Sequence, residues 1–277
     1  MTINCKGTLI DLKKPKVMGV LNVTPDSFYD GGRYKDEASI LKQTEKLLNE
    51  GATFIDLGAY SSRPNAPNIS EEEELRRILP VVDLLIKNFP DVYLSIDTFR
   101  SKVARRCLEN GAAMINDISA GNLDPNMIPT ISEFKVPYVM MHMKGNPQNM
   151  TQQIHYNKLL EDVLYELSEK VARAKSFGIN DIILDPGFGF AKNTIQNFTL
   201  LKHLNLFKTF GLPILVGLSR KSMIYKTLSS SASEALNGTT VLNTYALTKG
   251  ANILRVHDVK EAVECIELLE ALKQAED

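Results

Sequence analysis

Residues 16–23 read Lys-Val-Met-Gly-Val-Leu-Asn-Val, a short apolar run rich in β-branched residues that turns polar at Asn22. Continuous rather than alternating hydrophobicity suits a parallel strand buried on both faces. The pattern recurs at Phe54–Gly58, Val92–Thr98, Ala113–Ile118, Pro137–Met143, Asp181–Pro186, Pro213–Ser219 and Asn252–Asp258, and a helix-length amphipathic segment follows each run. Eight such units in 277 residues predict an α/β protein, a (β/α)8 TIM barrel spanning residues 1–277 as a single domain. Ahead of the first barrel strand, Ile3 to Leu12 alternates around Lys6-Gly7 and predicts a short N-terminal β-hairpin, placed to plug the barrel floor.

Punctuation supports these boundaries. Ser70 precedes Glu71 to Glu74 as an N-cap with acids in the first turn, and Gly51, Gly111, Gly178 and Gly250 close helices before the next strand. The net charge of −1, with acids and bases dispersed, supplies no broad basic field and argues against a nucleic-acid partner. Three widely spaced cysteines, Cys5, Cys107 and Cys265, fit reduced thiols in the cytoplasm better than a disulfide framework or a zinc site. No segment approaches the roughly 20 apolar residues of a bilayer span, and the N-terminus lacks a signal-peptide core, so the expectation is a soluble protein without a membrane partner.

In a barrel of this kind the chemistry collects at strand C-termini and in the loops that follow them. Those positions are polar throughout: Asn22, Asp56, Asp97, Asn116-Asp117, His142, Asp185, Ser219-Arg220-Lys221, then Arg255 and His257. The loop Asn22-Val-Thr-Pro-Asp-Ser-Phe28, followed by Asp30-Gly-Gly, is polar and long enough to serve as a lid over the mouth. Taken in order and spacing, NVTPDSFYDGG, DLGAYSSRP, SIDTFR, NDIS, DPGFGF, GLSRKS and RVHD resemble the dihydropteroate synthase family from about Val17 to His257.

That resemblance implies a transferase that condenses 6-hydroxymethyl-7,8-dihydropterin diphosphate with p-aminobenzoate. A pterin's pyrimidinone edge alternates donors with acceptors, so carboxylates and an amide on separate strands can read it. Asp97, Asn116 and Asp185 supply such a set. By resemblance these three form the pterin pocket with Lys221 and Arg255, walled by Ile118, Met140, Phe190 and Gly217; Asp97, Asp185 and Lys221 are the expected catalytic residues. Met140 reads equally well as core. The diphosphate is expected on Asn22, Ser62, Arg63, Arg255 and His257, because a diphosphate needs cationic, geometrically matched donors.

Magnesium takes oxygen ligands and is often completed by substrate phosphates, so Asn22 is expected as its direct protein ligand. p-Aminobenzoate is expected against Phe28, Ser62, Pro64, Phe190, Lys221 and Ser222, its carboxylate near the start of the helix after strand seven. Ser219 and Arg220 remain open to a structural role, and so does His142. The resemblance further implies a homodimer and competitive inhibition by sulfonamides. One departure stands out: many family members carry Gly-Glu-Ser-Thr-Arg-Pro where this chain reads Ala59-Tyr60-Ser61-Ser62-Arg63-Pro64. The competing readings are a pterin-binding methyltransferase and a catalytically idle pterin-binding paralogue, and both are disfavoured by the anion-site residues.

Overall fold

The structure is a computed structural model that describes residues 1–23, 33–61 and 68–275, with the side chains of 33–36 outside that description. All eight expected segments contain a strand: β3 (Lys16–Asn22), β4 (Phe54–Gly58), β5 (Tyr93–Asp97), β6 (Met114–Asp117), β7 (Tyr138–Met141), β8 (Ile182–Asp185), β9 (Leu215–Val216) and β10 (Ile253–Val256). They form one parallel sheet in the order β8-β7-β6-β5-β4-β3-β10-β9. The ends meet through a parallel bridge between Leu184 and Ile214, with the Leu184 amide donating to the Pro213 carbonyl at 2.8 Å. The result is a (β/α)8 barrel. β9 is much shorter than Pro213–Ser219 suggested, because regular pairing stops before Gly217, where the chain leaves the ladder for the mouth.

The surrounding helices are α1 (Arg33–Asn49), α2 (Glu71–Asn88), α3 (Ser101–Glu109), α4 (Met127–Phe134), α5 (Leu159–Ser176), α6 (Thr194–Lys202), α7 (Ser222–Thr227), α8 (Leu236–Lys249) and α9 (Val259–Gln274). Ser70 caps α2 as expected, its side chain accepting from the Glu73 amide at 3.2 Å. Gly51, Gly111, Gly178 and Gly250 all adopt positive φ, the conformation that ends a helix without a Cβ penalty. Among the described residues no helix is long and apolar enough to cross a membrane.

The hairpin is β1 (Thr2–Cys5) paired antiparallel with β2 (Thr8–Asp11). Its inward residues Ile3, Cys5 and Ile10, with Leu12 just beyond, are buried against Met18, Phe54, Met114, Val139, Ile183, Leu215 and Ile253. Those seven belong to seven different barrel strands, so the hairpin closes the N-terminal end of the barrel with apolar surface.

Candidate active site at the barrel mouth

Strand side chains alternate between faces, so stepping two residues from each floor residue reaches the next inward layer. From Phe54 the step leads to Asp56, from Met114 to Asn116, from Val139 to Met141, from Ile183 to Asp185, from Leu215 to Gly217 and from Ile253 to Arg255. One further step gives Asn22, Gly58 and His257, and β5 contributes Ser95 and Asp97. An apolar floor thus passes within one layer to a charged mouth.

Arg255 organises that layer. Its Nε donates to Asp56 Oδ2 at 2.6 Å and its Nη2 to Asp97 Oδ2 at 2.7 Å. Asp56 is fully buried and also accepts from Ser95 Oγ at 2.6 Å and Asn116 Nδ2 at 3.1 Å. One cation therefore serves two carboxylates. Burial, reinforced by the negative charge of Asp56, pushes the Asp97 carboxyl up to about 7, against the pull of Arg255. Asp185 is likewise raised by burial and opposed chiefly by Lys221; its Oδ1 accepts from the Gly187 amide at 2.7 Å. Burial pulls the Lys221 ammonium down to about 8, with Asp185 opposing.

Lys221 reaches the same space from the loop after β9. Its Nζ donates to the Phe188 carbonyl and lies 4.5 Å from the centre of the Phe190 ring. Gly217 leaves room over the floor, since the nearest atom to a Cβ placed there would be Arg255 Cβ at 4.0 Å. Ile118 is buried in a cluster with Met141, Met143 and Ala191, against which Phe190 packs. Asp97, Asn116, Asp185, Lys221, Gly217, Phe190 and Ile118 therefore converge as the sequence suggested. Asn22 stands at the rim beside Asp97, its Oδ1 3.6 Å from where a Gly58 Cβ would sit.

One expectation changes. Met140 is fully buried in the cluster between barrel and helices, whereas Met141, one residue later, belongs to the mouth cluster; a one-residue offset on a strand reverses the face. The Arg255 guanidinium, expected beside both pterin and diphosphate, is bonded to Asp56 and Asp97. His257 is exposed, with Nδ1 3.0 Å from Ser219 Oγ, so it faces solvent at the rim rather than the charged layer. Arg220 grips Asp258 with two bonds of 2.9 and 2.8 Å and two carbonyls of the following loop, which settles its role as structural. Ser222 is half-buried at the first position of the six-residue α7. Phe28, Asp30, Ser62, Arg63 and Pro64 lie outside the described residues.

Two participants escaped the sequence reading. Asp56 was visible as a polar strand end, and counting two residues from Phe54 would have placed it on the face of Arg255. Lys192, buried behind the Phe190 turn with its Nζ 2.9 Å from His142 Nδ1, carried no signal, because a lysine after a glycine-rich turn normally reads as solvated.

A charged, open-mouthed layer on a sealed (β/α)8 floor defines a barrel enzyme acting on a polar, partly anionic small molecule. The profile of the family described as pterin binding enzyme matches residues 18–257. Dihydropteroate synthase of Escherichia coli (strain K12) is 42% identical over 279 aligned positions, covering 100% of this chain and 98% of that protein. A crystal structure of Yersinia pestis dihydropteroate synthase with a sulfonamide drug superposes with a TM-score of 0.92 at 41% identity, covering 99% of this chain and 100% of that one. The Xanthomonas albilineans enzyme with 4-aminobenzoic acid gives 0.92 at 36% identity, covering 99% of each chain. The chain belongs to the pterin-binding enzyme family, and within it to the dihydropteroate synthases.

Proposed function

We propose that this chain joins 6-hydroxymethyl-7,8-dihydropterin diphosphate to p-aminobenzoate, releasing 7,8-dihydropteroate and diphosphate. The observation that carries the reading is the convergence of Asp97, Asn116, Asp185 and Lys221 around the open space over Gly217, in a chain similar along its whole length to dihydropteroate synthases. Asp185 and Asn116 offer acceptors and an amide to the heterocycle's edge, Lys221 offers an ammonium, and Ile118, Met141 and Phe190 give apolar surface for its faces.

The reaction forms a C–N bond between the arylamine nitrogen and the pterin methylene and breaks that carbon's bond to diphosphate oxygen. The amine proton is lost to solvent or to the departing anion. An arylamine is already unprotonated near neutral pH, so no enzyme base is required. As the C–O bond weakens, positive charge develops on the pterin, and the carboxylates of Asp97 and Asp185 stabilise it from a site with little water. His142 is unsuited to proton transfer, because burial, then the charge of Lys192, pulls it down to about 3 and keeps it neutral.

Magnesium fits the rim as a cation completed by the substrate. Among the described residues no group of three or more His, Cys, Asp or Glu side chains forms a cage, and the Asn22 amide, which makes no side-chain hydrogen bond among the described residues, offers one oxygen beside the charged layer. Bound there, the ion would neutralise charge on the leaving diphosphate. His257 at the rim, with Ser62, Arg63 and Arg255, would hold the rest of that anion. p-Aminobenzoate would lie against Phe190 and Lys221 toward Ser222, Phe28, Ser62 and Pro64 are proposed as its further partners, and sulfonamides would compete for that space. Asp30 belongs to the proposed lid.

We also place the protein in the cytoplasm, where its three buried free cysteines stay reduced, and infer that it works as a homodimer. The decisive assay follows diphosphate release by purified protein. Release requiring both substrates and magnesium supports the reading; methyl transfer to a corrinoid, or pterin binding without turnover, would replace it.

A further inference from the structure

Behind the Phe190 loop lies a second lysine that the reaction above does not use. Lys192 is only 7% exposed. Its Nζ donates to the carbonyls of Gly187 and Phe190, each at 3.1 Å, and lies 3.4 Å from the His142 carbonyl and 2.9 Å from His142 Nδ1. A buried ammonium is costly unless its donors are satisfied; among the described residues no carboxylate pairs with Lys192, and its three donors are offered four acceptors.

His142 completes the arrangement. Its Nδ1 can accept from Lys192 only when the imidazole is neutral and carries its proton on Nε2, and Nε2 lies 3.1 Å from Glu166 Oε2. The backbones of the two loops also touch at this point: Gly187 has φ +74°, and a Cβ there would collide with the His142 carbonyl. Tyr156 secures the far end of the turn by donating to the Ala191 carbonyl at 3.0 Å.

Lys221 grips the same loop from the opposite, substrate-facing side, through the Phe188 carbonyl and the Phe190 ring. One of the three Lys221 donors is held by the Phe188 carbonyl, and a substrate would compete for that group. Lys192 bonds the carbonyls on either side of it, those of Gly187 and Phe190, and does not face the mouth.

We propose that Lys192 is a positioning residue: it pins the 187–190 turn to the end of β7, so that Phe190 stays in place as the aromatic wall for p-aminobenzoate while Lys221 engages substrate from the other side of the turn. The inference rests on the synthase reading for the identity of the substrate, but the pinning itself does not depend on it. The pterin keeps the polar groups of Asp97 and Asn116 and the apolar surfaces of Ile118 and Met141 when Phe190 shifts, whereas the aromatic amine depends chiefly on the Phe190 wall, so loss of the pin falls mainly on the second substrate.

The test compares wild type with Lys192→Met, which keeps length without donors, and Lys192→Gln, which keeps shorter, uncharged donors. Steady-state kinetics are read for each substrate, and amide hydrogen exchange is read on the ligand-free protein. For Lys192→Met, KM for p-aminobenzoate should rise about tenfold, the size expected for losing charge-assisted hydrogen bonds. KM for the pterin diphosphate should change by less than about threefold, and amides 187–191 should exchange faster while the barrel strands stay protected. Lys192→Gln should fall between the two, and it carries the same comparison if Lys192→Met does not fold. An equal fall in both substrates' kcat/KM with uniformly faster exchange would reduce Lys192 to a generic stabiliser, and unchanged kinetics with unchanged exchange would overturn the pin. A wild-type protein that fails to release diphosphate would reject the synthase reading, while the exchange comparison would still decide whether the loop is pinned.

Discussion

Asp185 combines two demands that rarely coexist: it is buried, and its value to a heterocycle depends on a fixed acceptor. Asp185→Asn keeps the shape but replaces one acceptor oxygen with a donor, so pterin binding should weaken by about 2 kcal/mol, the usual cost of mispairing a buried polar group. Titration calorimetry with the pterin substrate checks this, and an affinity close to wild type would remove Asp185 from the pocket. Asp97 makes a different prediction, because it shares Arg255 with Asp56. Its carboxyl is raised from an ordinary 3.8 to about 7, so it binds its proton more tightly in the folded state. Its contribution to stability is then fully present below about 4 and is lost as pH rises through about 7. Carboxyl-carbon NMR should show a midpoint near 7, and Asp56→Asn should lower it by removing a like charge and freeing Arg255 for one partner. A midpoint that Asp56→Asn leaves in place would show that the charge of Asp56 does not act on Asp97. The identities of Asp97, Asn116, Asp185 and Lys221 were legible in the sequence, since polar residues at strand ends stand out. Their partners were not, because which carboxylate a guanidinium selects depends on barrel stagger that no linear pattern records.

Among the elements, β7 shows how far linear reading extends. The run from Pro137 to Met143 was plainly a strand, yet its side chains are apolar on both faces, so nothing in the sequence said which methionine faces the mouth. Register decides: Val139 faces the floor, so Met141 faces the site and Met140 the helices. Met140→Ala should therefore cost about 2–5 kcal/mol of stability with little change in pterin affinity. Met141→Ala should weaken pterin binding by more than Met140→Ala does. Denaturant titration and calorimetry on the pair would expose an inverted register if the effects were exchanged. The same limit hid the shortness of β9, where Pro213–Ser219 is strand-like in composition but Gly217 ends the ladder. The hairpin, by contrast, was readable because its alternation is strict and its turn carries glycine.

Across the whole molecule, the helices α8 and α9 form an unusually apolar exterior. Leu268 and Leu272 on α9 are 68% and 69% exposed, and α8, which packs against α9, exposes Val241 and Tyr245. Leucines one turn apart on a surface helix suit burial against a second copy, so wild type should sediment as a dimer and Leu268→Glu with Leu272→Glu should shift it toward monomer. A wild-type monomer at micromolar concentration would reject the homodimer. The hairpin has a consequence of another kind. With the N-terminal end stoppered by Ile3, Cys5, Ile10 and Leu12, the barrel is a cul-de-sac, and every molecule that enters must leave by the doorway it used. On the proposed function the heterocycle goes in deepest, so it should arrive first, and its conjugate should be the last to depart. Until that product backs out, no fresh pterin can pass. Dihydropteroate should therefore inhibit competitively against the pterin diphosphate, and a noncompetitive pattern in initial-rate measurements would mean that product binds while pterin is already seated, which a single doorway forbids.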